Sequence, residues 1–311
     1  MSQSPPALSG PGPRQDAQDI ATRTAESVAH AWHCQHLGER SQVPLGIVAT
    51  LAQVRHPHSA TDPAEHLRGL TTETLWRTLE GVWRRQWLLR PELVHWARAL
   101  HSWLQEETLS RELGDAVQAV TYAALDAGLL SLTGAPDPMR RSAADVLAPL
   151  LGLLRSGGAR EGLGEHHTPG DVAALFSSLL VPQPAERGAW FYDPAAGTGG
   201  LLRERAQQLR HQGDAPHHYC WFAQEVDTLA AACCAANMLV WDLGSTALVH
   251  CGDTLTAPQG AEAALAERRA LWARRDQVHT AASLAVATHS AAQLLGFPPP
   301  FLHRPASSEE P

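Results

Sequence analysis

The sequence predicts an α/β fold, a parallel sheet covered by helices, preceded by an all-α helical domain. Three observations carry this. Apolar residues recur at three- and four-residue spacing through the first half. Beyond residue 160 short apolar runs alternate with helical stretches. Between one such run and its helix lies a glycine-rich loop, Asp193-Pro194-Ala195-Ala196-Gly197-Thr198-Gly199-Gly200.

Residues 1–13 are rich in Pro, Gly and Ser and are expected to be disordered. The helical domain is expected over 14–155. Leu75, Trp76, Leu79, Val82, Trp83 and Trp87 mark its clearest helix, with Thr71 or Thr72 as cap and Pro91 forcing a break. Pro91 then sits in the first turn of the next helix. Six of the ten tryptophans lie in this half and are expected to fill its core, while Arg84 and Arg85 belong on a solvated face. "TGAPDPMRR" interrupts the pattern near residue 135, and "RSGGAREGLG" near 160 reads as the linker between domains. The second domain is expected over 160–300, with a disordered tail at 302–311. In it "GAWFYD" reads as a short buried strand and "LLRERAQQLRH" as its helix. "HHYCWFAQEVD" holds a second strand, "TLAAACCAANMLVWDLG" a second helix and "TALVHCGDTL" a third strand. A long helix follows at about 261–295, its arginines forming a polar face. It is expected to fold back over the sheet through Leu265, Leu271, Val278, Leu284 and Leu294; the alternative is that a second chain or copy supplies that cover.

The 311 residues suffice for two modest domains. No run of eighteen apolar residues predicts a membrane span, and the N-terminus does not read as a secretory signal. Five cysteines without a C-x-x-C pair argue against a disulfide framework or zinc site and favour a reducing, cytoplasmic setting. Histidine is abundant, but the doublets His166-His167 and His217-His218 and the pair His56/His58 lack companion ligands at zinc spacing, so no metal is expected. The net charge is −8, and all 24 basic residues are arginine, a bias typical of GC-rich coding. Such a chain has no global pull on nucleic acid; only a local arginine patch would bind phosphate.

The glycine loop is placed where open parallel sheets bind ligands, beyond a strand's carboxyl end. Its glycines permit positive φ and close backbone approach, and the following helix offers free N–H groups. Nucleotides, flavins and S-adenosylmethionine (SAM) all use such loops; G-K-[ST] is missing, so it is not a P-loop. Asp193 opens the loop and suits a cationic ligand such as SAM, with its ammonium and sulfonium, over a dinucleotide. Glu225, at the end of the second strand, can accept from two ribose hydroxyls. Asp253, after the third, can accept from an adenine amine. Each alone reads equally well as a loop residue or cap; the order of all three supports SAM. Upstream, Thr168-Pro169 with Asp171 forms a capped helix start.

Together these segments resemble the N6-adenine DNA methyltransferases, specifically the modification subunits of type I restriction systems. Gly164, Glu165, Thr168, Pro169 and Val172 match that family's segment before the SAM domain, with His166 and His167 replacing two aromatics. Asp193 through Leu202 match its D-P-A-C-G-T-G-G-F-L loop, with Ala196 for Cys and Leu201 for Phe. Ala223-Gln224-Glu225, Asn237-Met238-Leu239 and Gly252 through Leu255 match further segments. The similarity covers about residues 160–256. It implies a Rossmann-like SAM-dependent methyltransferase core, methyl transfer to adenine in DNA, and Thr168, Asp193, Ala195, Gly197, Thr198, Gly199, Gly200, Glu225 and Asp253 as cofactor-binding residues. Gly199's backbone is expected to lie against the ligand.

The family's catalytic [N/D]-P-P-aromatic motif, which polarises the amine of a flipped adenine, has no match. In Phe297-Pro298-Pro299-Pro300-Phe301, Pro298 stands where the catalytic amide belongs. Only ten residues follow Phe301, so a truncated parallel sheet is expected. Three functions follow: a SAM-binding family member inactive alone, an adenine methylase completed by a partner chain, or an interaction module with a vestigial SAM fold. DNA, a partner subunit or a second copy are the implied partners; a membrane is not.

Overall fold

The computed structural model describes residues 13–38, 40–55, 62–106, 108–155, 186–256 and 259–294. The linker at 156–164, the segment holding Thr168, the Phe297–Phe301 run and both expected tails (save Pro13) lie outside the described residues.

Among the described residues, ten α-helices occupy the first half: α1 Pro13–His33, α2 Gln42–Leu51, α3 Pro63–Arg68, α4 Thr72–Leu89, α5 Pro91–Trp96, α6 Trp103–Glu106, α7 Arg111–Asp126, α8 Leu129–Thr133, α9 Pro138–Arg141 and α10 Leu147–Leu154. Helix α1 thus starts at Pro13, the last residue of the expected tail, where proline's fixed φ suits a first helical position. The starts follow local chemistry. Thr71 accepts from the Thr74 amide to cap α4. Asp62-Pro63 and Asp137-Pro138 use one device twice, an aspartate cap followed by proline in the first turn. Pro91 bars Arg90 from helical geometry, so α4 ends and α5 begins there. Trp32, Trp76, Trp83 and Trp103 are buried, and Trp87 and Trp96 are partly so. The Trp83 indole donates to Thr50 Oγ1 at 2.7 Å and stacks on His101. Arg84 pairs with Glu80 on an exposed face.

Among the described residues the second half forms three parallel strands, β1 Trp190–Asp193, β2 Cys220–Glu225 and β3 Ala247–Cys251, ordered β1-β2-β3. Helices α11 Gly200–His211, α12 Thr228–Trp241 and α13 Gly260–Leu294 follow them in turn. The expectation that β1 is buried needs correction: Trp190 is 50% and Tyr192 49% exposed. Among the described residues β1 pairs only with β2, so it is an edge strand. A short apolar run reads alike in either place.

Trp221, Ala223, Ala247 and Val249 belong to one hydrophobic cluster that continues through α12 into α1, α2, α4, α5, α7 and α10. Phe222 and Leu248 point to the opposite face of the sheet, where Ala261, Ala264 and Leu265 of α13 cover them. The cover therefore comes from the first turns of α13. Val278, Leu284 and Leu294, expected to share in it, are exposed.

Helix α13 also reaches the helical half. The Trp272 indole donates to Glu92 Oε2 at 2.7 Å, and the Arg90 guanidinium holds Glu92 Oε1 at 2.7 Å. Glu92 is only 2% exposed, so a carboxylate oxygen that loses its donor is costly. Trp272→Phe should lower stability by about 1–3 kcal/mol, read as a lower urea midpoint. An unchanged midpoint would show that this bond does not hold α13 in place.

Candidate functional site

The parallel register places Asp193 beside Ala223 and Glu225 beside Cys251, so the three strands end on one edge. The glycine loop crosses that edge. The Ala196 amide donates to the Gln224 carbonyl at 3.0 Å, and the Gly197 amide donates to Glu225 Oε2 at 2.7 Å. Gly197 (φ +55°) and Gly199 (φ +97°) take the left-handed conformation that the turn requires. Beyond β3, the Thr254 hydroxyl donates to the Pro194 carbonyl at 2.6 Å, tying the third strand end to the same loop.

Asp193 is 6% exposed and accepts from the Ala195 amide at 3.1 Å. Burial pushes its carboxyl above the ordinary range; the Ala195 bond opposes this, and the Glu225 charge adds to it. Glu225 Oε1 accepts from the Asp227 amide at 2.9 Å. Each Glu225 oxygen thus holds one backbone amide and keeps a second lone pair for a ligand hydroxyl. Asp253 accepts from the Leu255 amide at 2.9 Å and the Thr256 hydroxyl at 3.0 Å, which makes it the organiser of its own turn as well.

Asp193, Ala195, Gly197, Thr198, Gly199, Gly200 and Glu225 therefore converge on one edge of the sheet, with Asp253 next to the loop through Thr254. Thr168 lies outside the described residues. The Cβ that Gly199 lacks would lie 3.1 Å from Cys234 Sγ and 3.1 Å from the Trp241 ring, so packing within the protein leaves no room for a side chain there. The glycine serves the turn and the close seating of the loop on α12.

One buried group was not found from the sequence. Asp145 accepts from the Thr198 hydroxyl at 2.6 Å and from the Asn237 amide at 3.0 Å, while capping α10. "SAADVLAPLL" carries an N-cap signal there, but no local pattern announces a bond to a loop 53 residues away.

Among the described residues no group of three or more His, Cys, Asp or Glu is placed to hold a metal. His218 Nδ1 instead meets Asp214 Oδ1 at 2.6 Å. His56, His58, His166 and His167 lie outside the described residues. No described helix is long and apolar enough to cross a membrane.

Asp193 sets a pH dependence. Its folded-state carboxyl binds a proton more tightly than in the unfolded chain, where it titrates near 3.8. Its contribution is therefore fully present below that value and is lost as pH rises through the folded pKa. Asp193→Asn should remove this loss, so the variant gains stability over wild type as pH rises through that window. Parallel urea midpoints across the window would refute the buried-carboxylate reading.

Residues 153–270 match the family described as N-6 DNA Methylase. No curated protein matches the chain. Among solved structures, the type I restriction-modification system methyltransferase subunit from Streptococcus thermophilus aligns at 16% identity and a TM-score of 0.42, over 78% of this chain and 59% of that one. Over residues 153–270 this protein carries an N-6 DNA methylase family domain.

Proposed function

We propose that this chain binds SAM across the ends of β1, β2 and β3 and does not transfer its methyl group unaided. The observation that carries the reading is the convergence of Asp193, the glycine loop and Glu225 on one sheet edge. The residues suit the cofactor's chemistry. A cationic group near Asp193 offsets the burial that disfavours its ionised form. The second lone pairs of Glu225 suit the two ribose hydroxyls. Asp253 supplies an acceptor for the adenine amine. SAM supplies an activated methyl group when bound; these residues bind and orient it.

Transfer to adenine calls for an amide side chain and an adjacent backbone carbonyl that accept from the target amine. The sequence offers Pro298 at the nearest counterpart, and proline's side chain accepts nothing. On this reading the protein holds the cofactor, and transfer to adenine in DNA needs an acceptor that Pro298 does not supply.

Calorimetric titration with SAM tests the first part. Glu225→Ala should weaken binding by about 1.5–3 kcal/mol, the range for hydrogen bonds to a charged group. No heat with wild type, or equal heats for both proteins, would reject the site. Labelled SAM and duplex DNA test the second part. Pure protein should leave adenine unlabelled, and label that disappears with Asp253→Ala would overturn the claim.

A further inference from the structure

We infer that helix α10, in the helical half, is the positioning element of the cofactor site: Asp145 at its start holds the glycine loop, and Arg155 at its end holds the strand end that bears Glu225. The inference rests on the SAM reading of that site.

At the first end, Asp145 Oδ1 accepts from the Leu147 and Ala148 amides at 2.9 and 3.0 Å. These two bonds suffice for a helix cap. The same carboxylate does more. Oδ1 also accepts from Asn237 Nδ2 at 3.0 Å, and Oδ2 accepts from the Thr198 hydroxyl at 2.6 Å. Asn237 Nδ2 in turn donates to the Thr198 carbonyl at 3.0 Å. Thr198 is thus gripped at both its side chain and its backbone. It lies between Gly197 and Gly199, the two glycines of positive φ, in a stretch of chain that few other residue types would hold. Gly197 is the residue whose amide orients Glu225 Oε2.

At the other end, the Arg155 guanidinium pairs with the Asp227 carboxylate. Asp227 caps α12 by accepting from the Ala230 amide at 2.6 Å, and its own amide donates to Glu225 Oε1 at 2.9 Å. Two backbone amides therefore orient the Glu225 carboxylate, and each belongs to a segment fixed from one end of α10. At 1.5 Å of rise per residue the helix is about 12 Å long, a rigid spacer between the two anchor points. A displacement of α10 relative to the sheet would carry Thr198 and Asp227 with it. Cofactor affinity is thereby coupled to the placement of α10 against the sheet.

The test compares SAM affinity with global stability in the full chain, using Asp145→Ala, Arg155→Ala, Arg155→Lys and, as a control in the core of α4, Trp83→Phe. Amide hydrogen exchange at residues 195–199 and 225–228 is measured alongside. Asp145→Ala and Arg155→Ala should each weaken SAM at least tenfold and speed exchange in those two segments. Arg155→Lys should restore part of the affinity, and Trp83→Phe should lower the melting temperature with affinity unchanged. Affinity that simply follows melting temperature across all variants, Trp83→Phe included, would reduce α10 to a structural role and overturn the inference. So would wild-type affinity and exchange in both alanine variants. If Asp145→Ala does not fold, Arg155→Ala and Arg155→Lys decide. If wild type itself takes up no SAM, the proposed function fails. Exchange then still decides on α10: unaltered protection of both segments in the alanine variants overturns it.

Discussion

Helix α12 has almost no solvent face, and the architecture is arranged around that fact. From Ala230 to Trp241 every side chain except Leu239 is buried. A helix apolar on all sides must be enclosed on all sides. Here β2 and β3 lie against it, and so do α2, α5, α9 and α10. Its run of Ala and Cys lets these layers approach closely, and the glycine loop settles on it where Gly199 meets Cys234 and Trp241. Burial pushes the Cys234 thiol well above its usual range, so it acts as a small apolar group. Neither half hides its apolar surface alone, and the two share one hydrophobic cluster.

Enclosing a helix end creates a second demand, because its last carbonyls lose water as a partner. Arginine meets it. Arg141 donates to the Val240 carbonyl and Arg210 to that of Trp241, both at the end of α12. Arg203 reaches the Ser142 and Ala143 carbonyls, and Arg90 those of Gly244 and Ala247. The bonds of Arg141, Arg203 and Arg90 cross between the helical half and the α/β half, whereas that of Arg210 stays within the latter. A guanidinium carries five donors in a planar fork and can serve two carbonyls together, which a lysine ammonium does with less directional control. The chain contains no lysine, and at these positions the fork supplies geometry that lysine does not.

The strands, their helices and the loop were legible because their signals are local: short apolar runs, aspartate caps, and glycines between strand and helix. Helix α13 was legible as a helix through its length and apolar spacing, but which of its residues cover the sheet was not. Leu265 packs on Phe222 and Leu248, whereas Leu284 and Leu294, equally apolar in sequence, lie in water. The misplacements have the same origin. β1 was read as buried because an apolar run does not reveal how many neighbours a strand has. For Gly199 the sequence records that a Cβ is excluded, not that Cys234 and Trp241 exclude it. Asp145 was missed because its partners, Thr198 and Asn237, lie 53 and 92 residues away. Candidate site residues were legible where they fall at strand ends in sequence order, and not where tertiary packing alone defines their place.

The carboxylates at the strand ends unite loop geometry with ligand preference. Glu225 holds the amides of Gly197 and Asp227, so the group that shapes the loop is also the one that the proposed function assigns to the ribose. Asp193, buried nearby, is disfavoured as an anion by lost hydration, and Glu225 adds to that penalty. The folded protein carries this electrostatic strain when nothing occupies the site, as functional sites commonly do at the expense of stability. A ligand bearing positive charge relieves it, while a phosphate would deepen it. On the proposed reading, the buried Asp193 favours a cationic ligand, in contrast to glycine-rich loops of similar backbone that cradle phosphates.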